Sequence, residues 1–562
     1  AADNVRLRAR PPGADNSVDL ASLPEFDRNY GLGLIGAQKA LDLGLTGRGV
    51  VVGVIDSGID RTADGGSHPE FAGRIDPRST SVFHWFDPNA AVAAGDVSAG
   101  FVRPADASED GNGHGTHVSG IIGAGQNGVG MQGVAPGANI LSIQALLSLP
   151  ASQWLDSRNN FTIGDTTYNA YFLALCGSDA YLTDEDSCVQ ADPLGINTAG
   201  AISYMATQSD VRVINGSFGP NIPNGSVTWN TGDLGDDANA VRAALRAGQI
   251  LTIAAGNDGA SAPISAENPS GIGLFPFIRP GNAFATNSAG HRIYTGSETA
   301  DFSDMTDAAL AAAEAADGIK RGRIIVVVAT DSQKVLAEYS NKCGVAAAWC
   351  LAAPGGTYDN SVERPIVSAF TNGTYRALQG TSMAAPHVAG AIAILVEAFP
   401  TYTPAQITNI LFETAEDLGA PGVDDIYGRG FLRLDRALES GPAGLNGNSA
   451  GEFVATAGSQ KGDRQVWTTP ITSNGSLTKT GGGTLVLLGN ATFQQGVTVD
   501  QGELRVDGTL TGSSIEIGQN GNISGNGTIV SNLLSRGQIS PGQSPGLLTI
   551  NGDMTLAAGS QT

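Results

Sequence analysis

Cysteine is scarce, with 4 in 562 residues, and histidine numbers only 6. A disulfide-dense small scaffold is thereby excluded. The cysteines fall into two local pairs, Cys176 with Cys188 and Cys343 with Cys350, with no C-x-x-C spacing and no histidine nearby, which argues against a zinc site. Four cysteines allow three pairings. Nearest-neighbour bridging is the favoured one and implies an oxidising compartment, the alternative being buried free thiols in a cytosolic protein. Basic residues are also few: 31 Lys plus Arg against 54 Asp plus Glu give a net charge of −23, with no basic patch. Nucleic acid is therefore excluded as an expected partner. No uncharged apolar run approaches the ~18 residues of a membrane-spanning helix. A hydrophobic content of 41% argues equally against disorder, so a soluble globular chain is expected. The sequence opens at Ala1 without a charged-then-apolar leader, so any export signal is expected to have been removed or never included.

What the sequence does have is length and glycine. At 562 residues two or more domains are expected. The 77 glycines are about twice the average share and are denser toward the C-terminus. Residues 1–30, with Pro11 and Pro12, read as an extended arm. Continuous apolar runs follow at Val50 to Ile55, Val211 to Ile214, Ile250 to Ala254 and Ile324 to Val328, as expected of strands buried on both faces of a parallel sheet. Alanine-rich helical patterns, Asp237 to Ala247 and Ala308 to Ala316, lie between them. The fold class expected is α/β, a doubly wound parallel sheet over residues 31–440, with its chemistry at the carboxyl ends of the strands. Residues 441–475, opening on the Gly/Asn/Pro-rich stretch Gly441 to Asn448, read as a linker. Over residues 476–562 short alternating segments, Leu485/Leu487, Val497/Val499, Leu504/Val506, Ile515/Ile517 and Leu548/Ile550, are punctuated by glycines. A β-solenoid satisfies that pattern, and a β-sandwich competes with it.

Four segments carry candidate chemistry. Asp56 follows the first apolar run, though a carboxylate there is often only a turn former. His114 lies in Gly113-His114-Gly115-Thr116-His117-Val118, at the start of a helical stripe. His117 reads as a structural histidine, because no third ligand accompanies the pair for metal binding. Ser382 lies in Gly380-Thr381-Ser382-Met383-Ala384-Ala385-Pro386, where Pro386, best tolerated in a first turn, places the serine at a helix start. Asn257 follows Ile253-Ala254-Ala255-Gly256, again after a strand. Each has a bland reading alone, as helix cap or turn residue. Jointly they are Asp, His and Ser in chain order with an amide able to donate to an oxyanion.

That order and its flanking residues resemble the subtilisin-like serine proteases. Asp56-Ser57-Gly58, His114 to Val118, Asn215-Gly216-Ser217-Phe218-Gly219, Ala255-Gly256-Asn257 and Gly380 to Pro386 match the family's segments in order over about residues 45–437. The rungs from 476 look like the passenger stalk of bacterial autotransporters. The resemblance implies a serine endopeptidase with Ser382 as nucleophile, His114 as base, Asp56 orienting it, and Asn257 in the oxyanion hole. It implies that Ser217, Phe218 and Gly219 pair with an extended substrate, and that Ala254, Ala255 and Gly256 wall the pocket for the residue before the scissile bond. Asp258 would add some attraction for basic side chains. The floor of that pocket and the inserted stretch from Leu146 to Asn197 are left unmapped. No cofactor is expected. A structural calcium, as in many family members, would use the loop near Gln126-Asn127-Gly128, with no carboxylate partner assigned. Expected partners are protein or peptide substrates and a C-terminal translocator barrel outside these 562 residues. The chain would act as a monomer, secreted or on the outer surface of a Gram-negative bacterium after crossing the periplasm.

Overall fold

Seven strands build the central sheet: β1 (Val51–Asp56), β2 (Thr80–Ser81), β3 (Asn139–Gln144), β4 (Val211–Gly216), β5 (Ile250–Ala254), β6 (Ile324–Thr330) and β7 (Cys350–Pro354). In this computed structural model they are ordered β7-β6-β5-β4-β1-β3-β2, and every pairing is parallel. The structure describes residues 23–60, 67–82, 112–146, 198–219, 235–260, 323–358, 365–400, 402–439 and 470–542, with shorter segments at 85–86, 88–95, 101–102, 110, 160–163, 166–169, 228–230, 265–274, 284–286, 292–294, 299–301, 452–456, 464–467 and 546–562. The apolar runs form strands because β1, β5, β6 and β7 are buried along their whole length, which only a sheet covered on both faces allows.

The covering layers are helical. Helices α1 (His114–Gly123) and α4 (Thr381–Ala398) pack together against the sheet, while α2 (Thr198–Ala206) and α3 (Gly235–Arg246) pack together and also reach it. The expected helix from Asp237 to Ala247 is α3. The one expected over Ala308 to Ala316 lies outside the described residues. The hairpin β8 (Ile366–Phe370) and β9 (Thr374–Leu378) packs on α1. Helix α5 (Pro404–Thr414), opened by a Thr403/Gln406 capping box, and α6 (Leu434–Glu439) close the domain. Cys343 and Cys350 form a disulfide across the turn Gly344–Trp349, whereas Cys176 and Cys188 lie outside the described residues.

The C-terminal part is a stack of parallel strands on three faces. One face steps from Leu477 to Val497, Ile515, Leu533 and Met554, each pairing in parallel with the next. A second ladder runs from Ile471–Ser473 through Ala491–Phe493, Thr509–Gly512 and Thr528–Val530 to Thr549–Asn551. A third runs from Arg464–Trp467 through 484–487 and 503–506 to 522–525 and 538–541. This is a β-helix. A β-sandwich is ruled out, because these sheets contain no antiparallel pair. The predicted inward residues Leu485, Leu487, Val497, Val499, Leu504, Val506, Ile515 and Ile517 are all buried, and Ile550 is half-buried.

Two expected boundaries move. Strands Glu452–Thr456, Arg464–Trp467 and Ile471–Ser473 form the first rung, so the ladder begins inside the stretch read as a linker. Glycine and asparagine set that reading, but Ala455, Trp467 and Ile471 are buried there, and α6 packs directly on Arg464–Trp467. At the other end, residues 1–22 of the expected arm lie outside the described residues. From Leu23 the chain makes a turn, Glu25–Arg28, fixed to the loop at 127–130.

Candidate active site

Asp56 ends β1 with its side chain wholly buried, and its Oδ1 lies 2.7 Å from Nδ1 of His114. That short contact is a charge-assisted hydrogen bond, which fixes Nδ1 as the protonated nitrogen and leaves Nε2 as the acceptor. The same Oδ1 accepts the Ser57 backbone N–H at 2.7 Å. Two glycines make the approach possible. Gly113 has φ +92, and a Cβ there would lie 2.2 Å from the Phe370 ring, whereas a Cβ on Gly115 would lie 2.2 Å from the Gly58 carbonyl. Burial lowers the basicity of His114, but the charge and hydrogen bond of Asp56, and then the charge of Asp110, outweigh it and hold the pKa above its ordinary value. His117 is structural, as expected. Its Nε2 lies 3.1 Å from the carbonyls of Ile366 and Arg376, and burial pushes its pKa down to about 3.

Ser382 stands one residue inside α4, which starts at Thr381, so the helix-start expectation holds. Pro386 lies farther in than a first turn, where a proline ordinarily costs about 3 kcal/mol, in part by stripping the carbonyl four residues back of its partner. Here that carbonyl belongs to Ser382, and Ser217 Oγ donates to it at 2.9 Å. The Ser382 hydroxyl donates in turn to the Ser217 carbonyl at 3.1 Å. Ser217 is itself held, because Asn215 Nδ2 donates to its Oγ at 2.9 Å and Thr252 Oγ1 donates to Asn215 Oδ1 at 2.9 Å. A buried polar chain from β5 through β4 therefore ends at Ser382.

Asn257 is exposed just past β5, and Thr381 orients it: its Oδ1 accepts the Thr381 N–H at 2.9 Å and Oγ1 at 3.0 Å. With Oδ1 engaged, Nδ2 is the end left to donate outward. Between the segments 217–219 and 254–256 stands Ser270, buried. Its N–H donates to Ala255 O at 2.7 Å and its Oγ to Ala254 O at 3.0 Å, and a Cβ on Gly219 would meet that Oγ at 2.3 Å. Ser270 thus joins the two expected walls from behind, and Asn341 backs Gly256. Asp258 does not sit on an open rim. It is buried, burial raises its pKa, and Asn341 Nδ2 donates to it at 3.2 Å.

The loop suggested for calcium does not fit a cation. Asn127 directs Nδ2, not its oxygen, at Glu70, 3.1 Å away, and the N–H groups of Asn127 and Gly128 donate to Glu25 at 2.9 and 3.1 Å. Arg28 donates to the Gly130 carbonyl, so a guanidinium already serves that oxygen. Among the described residues no three His, Cys, Asp or Glu side chains gather as a metal cluster. Thr381, Ser270 and Asp110 escaped the sequence reading: the partners of Thr381 and Ser270 lie farther along the chain, at Asn257 and at Ala254 and Ala255, and Asp110 joins the local N–H groups of 112–116 to the distant Ser57.

Residues 47–430 match the Subtilase family, more than half of the sequence. The chain belongs to the subtilase family. Residues 477–506 match the Passenger-associated-transport-repeat. This subtilase is 26% identical to an extracellular serine protease of Serratia marcescens over 98% of its own length and 50% of that relative's. It is 27% identical to Subtilisin DY of Bacillus licheniformis, over 73% of the chain and 98% of that protein. With the Neisserial autotransporter lipoprotein NalP of Neisseria meningitidis serogroup B it shares 34% identity, over 29% of the chain and 14% of the relative. The subtilase thus spans about half the length of that Serratia relative.

Proposed function

We propose that this subtilase is a serine endopeptidase that cleaves protein or peptide substrates through an acyl-enzyme. The observation that carries the reading is the buried Asp56–His114 pair at 2.7 Å, which prepares Nε2 to take a proton. Ser382 Oγ forms the bond to the scissile carbonyl while His114 removes its proton. His114 then passes that proton to the leaving amine as the C–N bond breaks, and water hydrolyses the resulting ester. Asp56 holds the tautomer and stabilises the imidazolium. Asn257 Nδ2 and the Ser382 N–H bind the tetrahedral oxyanion. The backbone of Ser217, Phe218 and Gly219 adds the substrate as a strand, and Ala254, Ala255 and Gly256 favour apolar residues before the scissile bond. In this structure the Ser382 hydroxyl is turned to the Ser217 carbonyl, so the attack requires its rotation toward His114.

The parallel ladder, the transport-repeat match and the resemblance to the Neisserial autotransporter lipoprotein NalP support export as a passenger, with a translocator barrel as partner and a secreted or outer-surface location. Purified protein should cleave an unfolded protein substrate and lose that activity to a serine-directed phosphonate or sulfonyl fluoride. Ser382→Ala should fold normally and show no measurable turnover. Near-normal hydrolysis by that variant would remove Ser382 as nucleophile.

A further inference from the structure

Asp110 takes part in none of the steps above, yet its carboxylate is the densest hydrogen-bond junction near the site. It is buried, with 3% of its surface exposed. Oδ1 accepts the Ser57 hydroxyl at 2.9 Å and the N–H groups of Asn112 and Gly113 at 3.0 and 2.8 Å. Oδ2 accepts both the N–H and the hydroxyl of Thr116, at 2.8 and 2.7 Å. Ser57 passes the tie onward, its Oγ accepting the Gly115 N–H at 2.9 Å. One side chain thus grips the turn that carries Asp56 and the first turn of the helix that carries His114. It also satisfies helix N-terminal donors that would otherwise be orphaned, where a negative charge is favoured.

We propose that Asp110 is a positioning residue for the reaction, locking the Asp56–Ser57 turn to the start of α1 so that the imidazole is presented at one distance and angle. The inference rests on the peptidase reading. It has an electrostatic side as well. The groups around the imidazole are Asp56 from β1, Asp110 from the preceding loop, and His117 one turn along α1, kept neutral by burial. From the hairpin, Arg376 stacks its guanidinium on Phe370 at 4.2 Å, the ring that lies over Gly113. Removing the Asp110 charge takes away one of the two carboxylates that raise the basicity of His114. The base is active only when neutral, so the acid limb of kcat/KM should move to lower pH while misalignment lowers kcat.

The test uses Asp110→Asn in the full chain. Expected are a fall in kcat of about tenfold or more with KM within about threefold, and an acid limb displaced to lower pH. The His114 imidazole, titrated by NMR in a Ser382→Ala background, should shift the same way, a readout independent of turnover. Asp110→Glu, which keeps the charge, should restore the limb more than the rate. If Asp110→Asn does not fold, Ser57→Ala cuts the tie and leaves the charge. It should lower kcat with the His114 titration nearly unmoved, and an unchanged kcat would overturn the proposal. A folded Asp110→Asn with wild-type kcat, pH profile and titration would overturn it directly. An inactive wild-type protein sinks the peptidase reading and with it the catalytic use of Asp110. An active wild type that is indifferent to both substitutions sinks the positioning role alone.

Discussion

Asn257 differs from the other site residues in that one atom of its amide is committed and the other is not. Its oxygen is held by Thr381, so truncation to alanine removes a donor aimed outward together with the acceptor of the Thr381 N–H and hydroxyl at the start of α4. Asn257→Ala should lower kcat by about 10²–10³ with KM little changed, the range measured when subtilisin itself loses such a donor. Steady-state kinetics on a peptide substrate checks this, and a change confined to KM would make Asn257 a ground-state contact. At this scale Asp56, His114, Ser382 and Asn257 stand out in the sequence because glycine-rich flanks and chain order mark them. Thr381, Ser270 and Asp110 do not, since Thr381 and Ser270 bond to residues farther along the chain and Asp110 sits in an ordinary loop sequence whose tie to Ser57 only the fold makes. Ser217 was read for its backbone alone, whereas its hydroxyl donates to the Ser382 carbonyl.

Elements buried on both faces announced themselves: the apolar run at Ile250 to Ala254 is β5, residue for residue. Short strands with little apolar character of their own, such as β2, are defined by their neighbours and left no trace in the sequence. The turn Glu25–Arg28 is a further case, because nothing local says that it will clasp a loop about 100 residues away. That clasp uses charged side chains where a cation would otherwise gather oxygens. Arg28→Ala should therefore destabilise the domain by about 1.5–3 kcal/mol, the worth of a hydrogen bond to a charged group, and lower Tm by a few degrees. Treatment of the wild type with EDTA should leave its thermal unfolding curve in place. A Tm that falls in EDTA and is restored by calcium would show that the loop rearranges to bind the ion.

For the whole molecule, the glycine-rich composition marks a turn-dominated region after the α/β domain, and the strands Glu452–Thr456, Arg464–Trp467 and Ile471–Ser473 start the ladder earlier than that composition suggests, because small residues precede them. Trp467 in that first rung is almost wholly buried although no earlier rung is found among the described residues, and α6 packs against its strand. Residues 1–451 alone should keep kcat/KM within about tenfold of the full chain, since every site residue lies upstream. They should nevertheless unfold at lower temperature, because the α6 surface is uncovered.

The reverse excision has a different outcome. A ladder of parallel strands offers unpaired N–H and C=O groups at any rung left without a neighbour, and such edges recruit further strands. In the intact chain α6 packs on the strand Arg464–Trp467 of the first rung, a position from which the protease domain would act as an end-stop for the stack. Residues 452–562 released from it should associate end to end, visible in sedimentation velocity as species heavier than the monomer, under conditions where the full chain stays smaller. On this view the enzyme protects its own stalk from polymerising, a colloidal service that requires no catalysis, and Ser382→Ala should provide it as well as the wild type.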